Sequence, residues 1–113
     1  MFGHEKLRAY QPSIEFVALA SEVLDGISRG HSDLRDQLKR AAVSIPLNIA
    51  EGSGKTSQRD KQRFYPIARG SAMECAAILD VLYHLELINK GTREKGRASL
   101  NTVVGILTTI CGQ

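Results

Sequence analysis

Apolar positions along the chain recur at three- and four-residue spacing, and no stretch alternates in the manner of a strand. Four helices follow, over about residues 12–28, 33–53, 57–86 and 93–110. In the first, Ile14, Val17, Ala18, Ala20, Leu24 and Ile27 form an apolar stripe, with Glu15, Glu22 and Asp25 largely off it. Pro12 suits a first helical turn, where a missing N–H costs nothing. In the second, Leu34, Leu38, Ala41, Ala42, Ile45 and Ile49 keep the period on both sides of Pro46, which predicts a kinked but continuous helix. Gly52 and Gly54 are expected to end it. Ser57, with Asp60 three residues on, approximates a capping box for the third helix. Its seam reads Phe64, Ile67, Ala68, Ser71, Cys75, Ile78, Leu79, Leu82 and Leu85, with a bend expected at Pro66. "INKGT" reads as a turn, and the last helix turns Ala98, Val103, Leu107 and Ile110 inward. Four amphipathic helices on short links imply an all-α fold, an antiparallel up-down-up-down four-helix bundle.

Composition narrows this picture. The 113 residues suit one domain, and hydrophobic residues make up 42%, as in a globular chain. With three Phe, three Tyr and no Trp, the core must be aliphatic. The two cysteines, Cys75 and Cys111, lie among apolar residues and read as small buried hydrophobes, too few for a disulfide scaffold or a structural zinc site. No run approaches the roughly 20 apolar residues that span a bilayer. The first ten residues lack an apolar signal core, so a cytoplasmic protein without membrane contact is expected.

Net charge is +3, but its distribution is uneven. Eight basic and three acidic residues fall between Arg35 and Arg69, whereas Ser71 to Glu86 holds three acids and no Lys or Arg. Arg35, Lys39, Arg40, Lys55, Arg59, Lys61, Arg63 and Arg69 are therefore the candidate contacts to RNA or DNA. No aromatic platform for stacking bases is apparent, Tyr65 being the only candidate beside this run, so binding should be led by the phosphate backbone and depend steeply on salt. Asn48, Glu51, Ser71 and Glu74, with Arg69 as a further partner, fall near the inner faces of helices two and three. They are candidates for a hydrogen-bonded cluster that fixes helix register, against the alternative that both carboxylates face water. Leu47, Phe16 and Leu19 are expected to be left over for subunit contact.

Catalytic chemistry finds little support. "AEGSGKTS" ends like a phosphate-binding loop, but the motif's first glycine would fall at Ile49, and a helix rather than a strand precedes it. His4, His31 and His84 are scattered, with no Glu-x-x-His pair for a metal. No enzyme, metal or cofactor is expected.

"LKRAAVSIPLNIAEGSGK" (38–55) followed by "RFYPIARGSAMECAAILDVL" (63–82) resembles the family of 23S rRNA intervening-sequence proteins. The signature falls on Arg40, Ser44, Ile45, Pro46, Asn48, Ile49, Ala50, Glu51 and Gly52, then on Arg63, Phe64, Ala68, Gly70, Ser71 and Glu74. Pro66 and Cys75 depart from it. The resemblance implies a four-helix bundle that assembles as a ring-like homopentamer, with no enzymatic activity. Relatives include accessory proteins of diversity-generating retroelements. Two functions follow as expectations: a nucleic-acid-associated ring, or a scaffold docking a partner protein such as a reverse transcriptase.

Overall fold

The computed structural model describes Gly3 and residues 7–112. They form four α-helices: α1 (Tyr10–Asp25), α2 (Ser32–Ser53), α3 (Gln58–His84) and α4 (Lys90–Cys111), with a 3-10 turn (Arg29–His31) before α2. Each helix packs on the next, α4 closes on α1, and no Cα atoms of the diagonal pairs approach within 8 Å. That is the contact pattern of an antiparallel four-helix bundle. The bundle measures 44 × 24 × 21 Å, its long dimension matching α3, which at 27 residues spans about 40 Å.

Local chemistry sets the helix ends. The Ser57 side chain accepts a hydrogen bond from the Asp60 amide and starts α3. Asn89 Oδ1 accepts from the Thr92 amide at 2.7 Å. This cap starts α4 at Lys90, so most of the predicted "INKGT" turn is already helical. α3 stops in a Schellman arrangement: Leu87 N donates to Leu82 O and Glu86 N to Tyr83 O. Glu86 there adopts φ 62°, a left-handed conformation usually given to glycine. Both Pro46 and Pro66 lie inside unbroken helices.

The core is aliphatic, with Phe16, Leu38, Ile45, Ile49, Leu79, Leu82, Leu100 and Leu107 among its fully buried side chains. The phase of α1 differs from the sequence expectation. Ile14 and Ala18 face solvent, while Ser13, Phe16, Leu19, Ala20 and Val23 turn inward. α1 carries apolar residues on more than one face, so periodicity alone leaves its rotation open. Ser13 is tolerated at full burial because its hydroxyl donates to Tyr10 O at 2.6 Å. Phe16 and Leu19 thus belong to the core and are not left for subunit contact, whereas Leu47 stays exposed. In α3, Ile67 and Leu85 are exposed and Tyr65 and Ala72 buried, contrary to the seam read from sequence. In α4, Ala98 is exposed and Gly96 buried.

Two glycines permit close helix approach. A Cβ on Gly52 would lie 2.6 Å from Tyr65 Cε1, and one on Gly96 2.6 Å from Leu79 Cδ1 and 3.2 Å from Leu19 Cδ2. Gly52 does not end α2 as expected. It lies inside the helix, and its lack of a side chain lets Tyr65 pack against the backbone.

Candidate nucleic-acid interface

The fold divides the eight basic residues into groups with different work. Arg35 is half-buried near the start of α2. Its guanidinium donates to Ile27 O at 2.6 Å and Leu24 O at 3.0 Å. It therefore ties α2 to the end of α1 and the turn beyond it, adding a second donor to Leu24 O, which also accepts from the Ile27 amide. Arg69 Nε donates to Thr108 Oγ1 at 2.8 Å and fastens α3 to α4. Lys39 and Arg40 are both exposed at mid-helix, but they border different grooves. Lys39 lines the one between α1 and α2, Arg40 the one between α2 and α3.

Lys55, Arg59, Lys61 and Arg63 come together at the α2–α3 turn, because the hairpin folds the last turn of α2 beside the first turns of α3. Lys55 Nζ lies 3.5 Å from Glu51 and 5.3 Å from the centre of the Phe64 ring. Arg63 lies over the same ring at 5.7 Å. The ring thus holds two cations at the corner through cation–π attraction, worth about 0.5–1 kcal/mol each at exposed sites. Lys61 Nζ reaches Ser53 O at 3.4 Å. Arg59 and Arg63 are exposed, with no hydrogen bond or ion pair among the described residues. Arg35 lies near the start of α2 and Lys55 just past its end, about 30 Å away, and Lys39 and Arg40 between them border different grooves, so the basic residues do not make one continuous patch.

Tyr65, the only candidate for base stacking beside the basic run in the sequence, is 3% exposed and packs on Gly52. Burial also pushes its phenol pKa up. The aromatic at the basic corner is its neighbour Phe64.

The inner polar residues also separate. Ser44, absent from the expected cluster, is its hub: Ser71 Oγ donates to Ser44 Oγ at 2.8 Å, and Asn48 Nδ2 donates to Ser44 Oγ at 3.0 Å and Ser44 O at 2.8 Å. This chain links α2 to α3. Glu51 and Glu74 are exposed, Glu51 pairing with Lys55. Ser44 and Asn48 stand four residues apart, a spacing that could have revealed their contact.

A second network lies outside the sequence expectations. Asp80 of α3 accepts from Arg93 Nε at 2.8 Å and Arg97 Nη1 at 3.1 Å of α4. The hydrogen bond from Arg93 chiefly holds the Asp80 carboxyl below its usual range. Arg93 also lies 5.1 Å from the Tyr83 ring centre. The sequence does carry a signal for it: Arg93 and Arg97 share one helical face.

The glycine turn offers no phosphate cradle. Gly54 N donates to Ala50 O and Lys55 N to Gly52 O, so these amides are spent on the end of α2. Burial raises the Cys75 thiol pKa to about 12, with Glu74 adding to it, so it stays protonated at neutral pH. Among the described residues no three His, Cys, Asp or Glu side chains converge as metal ligands. His84 is exposed, His31 half-buried, and His4 lies outside the described residues. No helix among the described residues is long and apolar enough to cross a membrane.

A family model described as 23S rRNA-intervening sequence protein matches residues 5–109. Among solved structures, the chain is similar to a crystal structure of a protein with unknown function from the S23 ribosomal protein family of Bacteroides thetaiotaomicron VPI-5482. The TM-score is 0.84 at 21% identity, covering 93% of this chain and 96% of that one. At that identity the likeness shows the fold alone. No curated protein matches the chain.

Proposed function

The chain belongs to the family of 23S rRNA-intervening sequence proteins, and from that premise we propose that it is a non-enzymatic, ring-forming bundle that associates with RNA or a ribonucleoprotein through its basic α2–α3 corner. One observation carries the reading, the make-up of the exposed face of α3. That face begins with Arg59 and Arg63, beside Lys55, and continues as Ile67, Gly70, Met73, Ala77, Val81 and, just past the helix end, Leu85; the charged residues along it are Glu74 and the partly exposed Asp80, which is paired with Arg93 and Arg97. The apolar part, with Met73 51% and Ile67 50% exposed, suits contact with another copy of the chain. The basic part suits phosphate.

Repetition around a ring sets several weak corners side by side, so modest contacts sum by avidity. No free aromatic face is needed, and recognition is sequence-tolerant. Binding of labelled RNA across a salt series tests the reading. The logarithm of affinity should fall linearly with the logarithm of salt concentration. Absent binding, or binding indifferent to salt, refutes it.

A further inference from the structure

A ring needs two different surfaces on each copy, one fitting the other, whereas a single self-complementary patch gives a two-fold dimer. The bundle carries two such surfaces. One is the apolar face of α3 just described, where Asp80 is paired with Arg93 and Arg97 and Glu74 is the charge left without an ion pair among the described residues. The other is a groove of about 190 Å³ between α1 and α2, lined by Val17, Ala20, Leu24, Ala42 and Val43, with Lys39 as its one charged residue. They lie on different sides of the molecule, since α3 stands diagonally across the bundle from α1.

The two surfaces are both apolar and carry opposite charges. Lys39 and Glu74 are both exposed, and neither has an ion pair or hydrogen bond among the described residues. Arg40 lines the same cleft as Glu74, yet no ion pair joins them. Each apolar surface therefore bears one unmatched charge, of opposite sign to the other. We propose that the outer face of α3 in one copy docks into the α1–α2 groove of the next, with Glu74 meeting Lys39 across the contact. This rests on the ring reading above and assigns its two faces.

Charge reversal tests it, read by light scattering over a protomer concentration series. Lys39→Glu and Glu74→Lys each place like charges across the contact, which disfavours association strongly. Each should raise the concentration at half-assembly at least ten-fold, and the double reversal should return it close to wild type. Both sites are exposed, and thermal melts of the variants show whether each bundle remains folded. A variant that fails to fold is replaced by Lys39→Gln or Glu74→Gln, where a smaller rise in the same direction is expected. Wild-type assembly that both single reversals leave unchanged, or single defects that the double reversal does not repair, overturns the pairing while the ring stands. A wild-type chain that stays at the protomer mass of 12.4 kDa overturns the ring and the pairing together.

Discussion

Gly96 and Gly105 stand in the same helix, and the same substitution should act on them in opposite directions. Nothing lies within 4 Å of a Cβ built on Gly105. Gly105→Ala should therefore gain about 1 kcal/mol of helix propensity. At Gly96 the new methyl would press on buried Leu79 and Leu19, where overpacking costs about 1–3 kcal/mol. Gly96→Ala should thus be net destabilising, by about 1 kcal/mol once that propensity gain is offset. Denaturant melts of the two variants compare them directly. Glu86→Gly should stabilise by about 1 kcal/mol, because it relieves a left-handed backbone at a site where the Schellman bonds are already made. A lower melting temperature for that variant would contradict this account of the end of α3. Such residues show where sequence reading stops. Gly52 looks like a helix stop in the sequence, because glycine both ends helices and admits close neighbours. Only the position of Tyr65 tells the two apart.

At the scale of elements, helix pairs are fastened by polar contacts that the apolar period does not carry. The four helices are legible because their apolar residues recur at helical spacing and because Ser57 marks a start. The rotation of α1 is not legible, since its apolar residues cover more than one face. The polar ties are only partly legible: Asn48 and Ser71 stand out in the sequence, and four-residue spacing puts Ser44 with Asn48 and Arg93 with Arg97, but the partners Ser71 and Asp80 that they meet on the facing helix are not given by spacing. Such ties pair residues across helices, and only the register of packing sets those pairs. Asp80 gives a pH signature. Its carboxyl pKa is depressed in the folded state, so its contribution is fully present above the unfolded value of about 3.9 and lost as pH falls through the lower folded value. Asp80→Asn should therefore lose stability near neutrality. It should also lose less than wild type on acidification below about pH 4, as thermal melts at stepped pH would record. Parallel acid profiles for the two proteins would remove Asp80 from the account.

Across the whole molecule, charge and apolar surface are segregated. Eight basic residues share one stretch of chain, and folding divides their tasks. Arg35 and Arg69 serve the bundle, Lys39 and Arg40 border separate grooves, and the remaining four gather at one corner. Linear charge density could not reveal this division, because it depends on which carbonyls and rings each side chain reaches. The proposed RNA contact rests on this corner. Its most direct test measures RNA affinity against salt for wild type, for Lys55→Gln/Arg59→Gln/Arg63→Gln, and for Arg35→Gln. Removing one phosphate-neutralising charge lowers the slope by about 0.7–0.9. The triple variant should therefore bind weakly, with a slope shallower by about 2 to 3. Arg35→Gln should melt at lower temperature yet keep the wild-type slope. A triple variant with the wild-type slope, or an Arg35→Gln protein that remains stable but no longer binds RNA, would contradict the assignment of the interface to the α2–α3 corner.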